Sequence, residues 1–461
     1  MACSSFPCFM IIVNLGDIIM HTIHFESDIP VRYTPDLTVI GAGPGGIAAA
    51  VSAARQGIDT LLLDAHTMPG GMSTAARVPI FMPYSDGIRI LCGGFGEEAI
   101  LRLHDYSSSL GFDSAESIDA EHLKLVYEDM LMESGVHVLY ESRLAKVQMD
   151  GTRIESIIVT APDGLFAVKS RIFIDGTGNG TVAAWAGAPF EFGAPDGDVM
   201  PSTLCSLWTG FDWTTYQKGG LHNHGEKAML DLLEQAFNSG ELSQRDFHNT
   251  GIFRISQYTA AANISHEFNV NPSSAESITA ALITGRKRLK EYERFYRQYI
   301  PGFANAQIID SGSLLGCREG RRILGDYVLT RKDFDARRDF PDEIGRYNFA
   351  ADIHPSHPGR TAIEEHKKHF HESCMKRGES YGIPYRILLP RNVKNLLTCG
   401  RCVSCDRDVF ASIRVIPGCY ITGQAAGIAS AIALENGNDD PRKIHIPDLR
   451  SKLMHLGVYM H

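Results

Sequence analysis

A glycine turn held between two short apolar runs constrains this chain more than any other feature. Leu37–Ile40 is apolar enough for a buried strand and leads into Gly41-Ala42-Gly43-Pro44-Gly45-Gly46. An Ala-rich run follows to Gln56, Gly57 closes it, and Leu61–Leu63 ends on Asp64. The pattern predicts strand, turn, helix, strand, with G-x-G-x-x-G at Gly41, Gly43 and Gly46. Gly41 allows the tight turn, Gly43 lets backbone approach a pyrophosphate, and Gly46 lets the helix pack closely on the strand. The helix N-terminus then offers free N–H groups and partial positive charge to phosphates. Asp64, 18 residues after Gly46, is placed to accept from a ribose diol. The implied ligand is a dinucleotide.

At 461 residues the chain exceeds what one core usually fills, so two substructures are expected. A net charge of −10 without long runs of one sign argues against nucleic acid and anionic membrane as partners. Ten scattered cysteines predict free thiols in a reducing, cytoplasmic compartment. Residues 1–30 read as a leader. Phe6–Val13 is largely apolar, but no Lys or Arg precedes Arg32, so neither a secretory signal nor a membrane span is expected. Met20 is an alternative start.

The first nucleotide-binding segment is expected over 31–190. Met68–Thr74 holds the flexible pair Gly70-Gly71, then Met72. Glu121–Ser134 has the spacing of an amphipathic helix. Val136–Tyr140, Leu144–Gln148, Ile154–Val159 and Leu165–Val168 read as a small antiparallel insert turning at Asp150-Gly151 and Asp163-Gly164. Arg171–Ile174 enters a second glycine turn, Asp175–Gly180, before the Ala-rich Thr181–Ala188. Residues 191–390 read as an inserted mixed α+β substrate domain. Within it, Ser273–Glu276 forms a capping box that opens a helix to about Ile300, stopped by Pro301-Gly302. Nucleotide-binding texture returns over 391–440, with a strand at Asn395–Thr398 and a helix over Gly418–Leu434. Residues 441–461 read as a tail. The fold class is α/β, a Rossmann-like domain with a parallel sheet plus the insert.

These stretches resemble the FAD-dependent oxidoreductases with a two-dinucleotide-binding-domain fold, in particular the FAD_oxidored group. The resemblance is carried by VIGAGPGGIAAA, GGM at 70–72, FIDGTGNG at 173–180, PGFANA at 301–306 and REGRRILGDYVL at 318–329. DIH at 352–354, IPYR at 383–386 and NLLTCGRC…SIRVIPGCYITGQAAG at 395–427 complete it. It implies FAD as the cofactor, with the isoalloxazine reaching the C-terminal segment. Expected FAD contacts are Gly41, Ala42, Gly43, Pro44, Gly45, Gly46, Asp64, Ala65, Gly70, Gly71, Met72, Val147, Gly176, Thr177, Gly178, Gly400, Arg401, Ile416 and Gly418. The chain departs from the family pattern at Cys399 and at Cys405–Asp408.

The resemblance implies hydride abstraction from a small organic substrate, hydroxylated or sugar-like, to flavin N5. Such oxidation needs a base for the departing proton, and histidine suits neutral pH. His354 in the DIH stretch is the first candidate and His357 the second. Arg386 and Tyr385 are candidates for orienting substrate, against an ion pair at a domain junction. Arg318 is a candidate for facing the flavin, while Arg318, Glu319, Arg321 and Arg322 read mainly as a structural charge network. The helix starting near Pro417-Gly418 is the candidate for stabilising negative charge on reduced flavin. Cys399-x-x-Cys402-x-x-Cys405 lacks the fourth ligand of a cluster, since Val409 stands there. Buried inert thiols are the favoured reading over a redox pair. His222-Asn223-His224 has no matching ligands nearby, so no metal is assigned. Expected partners are the small-molecule substrate and an electron acceptor that the sequence does not identify, with homo-oligomerisation allowed. Two other classes stay open: an electron-transfer subunit of the heterodisulfide-reductase type, and a flavin-binding protein without turnover.

Overall fold

The computed structural model describes residues 23–109, 117–219, 227–246 and 251–461. Residues 1–22 of the leader and His222-Asn223-His224 lie outside them.

A five-stranded sheet carries the molecule, in the order Leu396–Thr398, Ile172–Asp175, Leu37–Ile40, Thr60–Leu63, His137–Leu139. Every neighbouring pair in it is parallel. The three central strands are buried along their whole length, as expected when helices cover both faces of a parallel sheet. The C-terminal strand Leu396–Thr398 adds beside Ile172–Asp175, so a segment over 200 residues downstream completes the first domain.

Helix Pro44–Ala54 packs against helix Ile416–Glu435, both buried almost throughout. Their contact depends on missing side chains. A Cβ at Gly423 would strike the Gly45 carbonyl, and one at Gly427 would strike that of Ala49. Small residues on facing surfaces let two backbones approach to contact, which larger side chains forbid. This contact sets the early glycine turn beside the late segment: a Cβ at Gly45 would stand 3.0 Å from the Gly400 Cα.

A second sheet, in the order Val31–Tyr33, Gly164–Val168, Arg153–Ala161, Arg143–Asp150, covers one flank. Its two hairpin turns fall where Asp150-Gly151 and Asp163-Gly164 predict. Val136–Tyr140 corrects the expectation: His137–Leu139 joins the parallel sheet beside Leu61–Leu63 rather than the antiparallel insert. Chain order alone could not separate these, because both fates need only a short apolar run.

The second body is built on an antiparallel sheet, Ile252–Arg254, Thr259–Ala262, Ser206–Thr209, Gln307–Ser311. Helix Ala275–Tyr299 lies against it, and Trp208, Phe295, Tyr296 and Phe303 form its core. The helix cap is Ser274, whose hydroxyl accepts from the Ser277 N–H, rather than a box opened by Ser273. The insert is shorter than expected. Its core takes in residues 204–317 and Ile363, whereas Leu329, Phe334, Ile344, Tyr347, Tyr381 and Ile383 share the core of Ile416–Glu435. The 441–461 segment is no loose tail, because helix Ile446–His455 buries Leu449 and Leu453 in that core.

Glu319 ties these parts together. Its carboxylate accepts from Arg322 Nη1 at 3.2 Å, Arg407 Nε at 3.1 Å and the Met200 N–H at 2.8 Å. It is 2% exposed, so removing it takes the paired carboxylate from Arg407 and leaves Arg322 with Glu191 alone among the described residues. Glu319→Ala is expected to cost about 3–5 kcal/mol in equilibrium unfolding, and a change under 1 kcal/mol would refute the role.

No single helix among the described residues is long and apolar enough to cross a membrane. The bent pair Arg407–Ile413 and Ile416–Glu435 passes by length and composition together, but its longer member is the buried core helix.

Candidate active site

The two glycine turns and both core helices open onto one cavity of about 860 Å³, within the roughly 300–1,000 Å³ usual for small-molecule sites. Helix Pro44–Ala54 begins there at Gly43, and helix Ile416–Glu435 begins there at Val415 and Ile416. Each has Pro in its first turn, where the missing N–H costs nothing. Two positive helix ends therefore face one space.

Of the expected FAD contacts, Gly41, Gly43, Pro44, Gly45, Asp64, Ala65, Gly71, Met72, Gly176, Thr177, Gly178, Gly400, Arg401 and Ile416 line the cavity. A Cβ at Gly43 would meet nothing nearer than the Gly176 carbonyl oxygen at 3.8 Å, so the glycine keeps open space there. Asp64 Oδ1 accepts from the His66 N–H, and Oδ2 accepts from the Ala42 N–H. His66 Nδ1 also lies 2.8 Å from Oδ1, so Oδ2 is the oxygen that keeps a lone pair for a diol. Donor set, shape and polarity fit a dinucleotide with its pyrophosphate at the Gly41–Gly46 turn.

Five expected contacts are corrected. Ala42 acts from behind: its N–H holds Asp64 and its carbonyl accepts from the Gly70 N–H. Gly46 lies beneath the turn against the Gly41 carbonyl, and Gly70 packs against Thr74 and Tyr127. Gly418 lies inside the helix against the Ile413 carbonyl. Val147 pairs opposite Ile157 and belongs to the flanking core, while Ser142, Arg143 and Leu144 at the start of its strand reach the cavity.

Two catalytic candidates are also corrected. The Tyr385 hydroxyl donates to the Pro441 carbonyl in the core, and Arg386 forks onto Asp342 from Nε at 2.8 Å and Nη2 at 3.1 Å. Neither lines the cavity; they close the junction between 383–386 and its neighbours. His357 sits next to Ser356 outside the cavity as well.

His354 and Arg318 do line it. Asp352 Oδ2 lies 3.1 Å from His354 Nε2, and Oδ1 lies 3.0 Å from His366 Nε2. Arg414 donates to the Asp352 carbonyl and stands 3.6 Å from its carboxylate. Burial pushes the His354 pKa well below the ordinary histidine value, and Asp352 only partly opposes that. His354 is therefore neutral at pH 7. His266 stands edge-on to it at 5.6 Å and carries its own carboxylate, Asp246, at 3.2 Å. The ligand atoms of Asp352, His354 and His366 lie within 4.8 Å of one another, although no metal was assigned from the sequence. Each imidazole instead meets its own oxygen of one carboxylate, and a guanidinium stands beside it. That arrangement is a hydrogen-bonded dyad pair.

His366 and Arg414 were missed. His366 sits on helix Arg360–Ser373, where a histidine among several charged residues reads as surface. Arg414 falls between two core helices and carried no signal beyond its place in the SIRVIP stretch. The thiols at Cys399, Cys402 and Cys405 are buried and unpaired, and burial raises each above its ordinary value. They are protonated at neutral pH, which suits packing and disfavours thiolate chemistry.

Among solved structures, the chain is similar to a geranylgeranyl bacteriochlorophyll reductase-like protein of Thermoplasma acidophilum. Identity is 15% over 92% of this chain and 83% of that one, with a TM-score of 0.43. A myxobacterial chondrochloren halogenase aligns at 14% identity over 92% and 78%, with a TM-score of 0.42. A flavin-dependent brominase aligns at 13% over 91% and 84%, with a TM-score of 0.41. At such low identity these likenesses bear on none of the residues. No curated protein matches the sequence. The family model described as FAD dependent oxidoreductase matches residues 36–453, a span that takes in both glycine turns, the inserted body and both core helices. The chain thus belongs to the FAD-dependent oxidoreductase family: it is a flavoenzyme whose cofactor is FAD.

Proposed function

We propose that this enzyme oxidises a small hydroxyl-bearing organic substrate, with His354 as the base that takes the hydroxyl proton. One observation carries the reading: a buried, neutral histidine lines the cofactor cavity with Nε2 held by a carboxylate. When bound, FAD supplies the electron-pair acceptor that the side chains lack. The chain's own groups do the rest. Asp352 fixes the ring and stabilises the imidazolium that forms. The apolar walls, including Ile278, Ile363 and Phe370, exclude water from that end.

The electron-transfer alternative draws no support from the cysteine run, whose thiols are protonated and buried. A flavin-binding protein without turnover is separated by experiment: anaerobic bleaching of the bound flavin by a panel of hydroxy acids, sugars, polyols and amino acids. Bleaching by none of them would remove the reading that it oxidises such substrates.

The pH dependence has a definite sign. The base acts unprotonated, and a lowered pKa keeps it unprotonated further into acid. Anaerobic flavin reduction is therefore expected to stay level from pH 8 down through 6.5 and to fall only below that. A decline centred at or above 6.5 would exclude His354 as the base.

A further inference from the structure

The structure assigns the substrate a carboxylate, seated on Arg318; the assignment rests on reading the Arg318–His354 end of the cavity as the substrate's. The cavity is lined by five cationic side chains, Arg143, Arg318, Lys367, Arg401 and Arg414, against the two carboxylates of Asp64 and Asp352. Both carboxylates are committed. Asp64 holds Ala42 and His66, and Asp352 holds two imidazoles and faces Arg414. Arg318 is 9% exposed and makes no ion pair among the described residues. Its hydrogen bonds all end on neutral oxygens: Nη1 donates to the Pro201 carbonyl at 3.0 Å and to Thr203 Oγ1 at 2.7 Å, and Nη2 donates to Asn263 Oδ1 at 3.2 Å.

A buried guanidinium without a counter-ion is costly, by several kcal/mol before relaxation. Asp352 and Asp246 act on Arg318 through space without pairing with it, and burial still holds its pKa below the usual arginine value. Thr203 and Asn263 orient the fork, and Arg318 keeps N–H groups that a carboxylate can engage in the planar geometry guanidinium favours. Arg401 has the same character, bonding only to the Gly178 and Cys317 carbonyls. Of its partners, Gly178 belongs to the second glycine turn and Cys317 to the inserted body, so Arg401 stands between the two sides. The anchors of Arg318, namely Pro201, Thr203 and Asn263, belong to the inserted body instead.

The test titrates the holoenzyme with glycolate, lactate and malate, and in parallel with glycolamide and lactamide, at constant ionic strength held by sodium chloride. The readout is the difference spectrum of the bound flavin. Carboxylates are expected to perturb it at concentrations roughly 30-fold or more below the amides. Arg318→Gln is expected to weaken carboxylate binding by a similar factor while FAD content and amide binding hold, and Arg318→Lys to recover part of the loss. Equal binding of acids and amides, no carboxylate-specific perturbation, or unchanged carboxylate binding in Arg318→Gln would overturn the assignment. So would folded Arg318→Gln protein that has lost FAD, since Arg318 would then serve the cofactor. If Arg318→Gln does not fold, the acid–amide comparison in the wild type and the Arg318→Lys titration decide. Failure here stays distinct from failure of the catalytic reading. His354→Ala with an undiminished reduction rate sinks that reading and leaves carboxylate binding intact.

Discussion

Gly46→Ala is expected to purify as apoprotein, or to fail to fold, and no added FAD should restore the flavin spectrum. Gly46 has no room for even one methyl group, because its Cβ would stand far inside contact with the Gly41 carbonyl oxygen. That oxygen belongs to a turn already fixed on its other side, where Gly41 holds φ +100° and a Cβ would run into the Gly176 carbonyl. Core overpacking usually costs about 1–3 kcal/mol because side chains can shift. Here the obstacle is backbone that also forms the phosphate cradle, so relief requires moving the cradle itself. Gly57→Asn is the matched control: it too has positive φ, +84°, but nothing lies within 4 Å, and asparagine tolerates that region. It should keep its flavin. The measurement is flavin absorbance per protein with the melting temperature of each variant; a Gly46→Ala protein with full flavin and wild-type melting would show that the turn is not as tight as described.

His354→Ala is expected to leave FAD bound and to slow anaerobic flavin reduction by roughly 10²–10⁴-fold, the range a positioned base contributes. The side chain lines the cavity, and Asp352, His266 and His366 beside it lie outside the 41–46 turn, so cofactor retention should not follow it. Asp352→Asn separates positioning from proton transfer. It keeps the shape but replaces one accepting oxygen with an NH2, so one of the two imidazoles loses its acceptor. A smaller rate loss with an altered pH profile is expected. Tyr385→Phe, by contrast, should change stability alone, because among the described residues its hydroxyl meets only the Pro441 carbonyl. Stopped-flow reduction of the three variants decides. A His354→Ala rate within threefold of wild type would take the residue out of the chemistry.

The nucleotide half was legible because its physics is local. A strand, a turn that only glycine can make and a helix N-terminus occupy 28 consecutive residues, 37–64, and each element follows from its own composition. Helix Ile416–Glu435 was readable for the same reason, in a run of small and apolar residues that ends at Asn436. Gly46 was legible as a packing glycine, whereas Gly70, expected as flexible backbone beside the cofactor, proves to pack against Thr74 and Tyr127.

The substrate end was only half visible. His354 was singled out as a residue type in a loop, but nothing in its neighbours announced His366 twelve positions on, or Arg414 sixty positions on, as parts of the same carboxylate cluster. For Tyr385 and Arg386 a substrate contact and an ion pair at a junction stood as alternatives, and the fork onto Asp342 decides for the junction, since the two read identically in one dimension. Val147 fell on the wrong side of a strand that does reach the cavity three residues earlier. The sequence by itself determined a glycine-built dinucleotide cradle and the strands and helices around it, because those depend on local backbone freedom and periodicity; the resemblance of its motifs implied FAD. Only the tertiary structure decided which charges meet: that Asp352 is shared by two histidines and that Arg318 makes no ion pair among the described residues. Pairing and burial are set by distances between segments that the packing of Gly423 and Gly427 onto the first helix brings together.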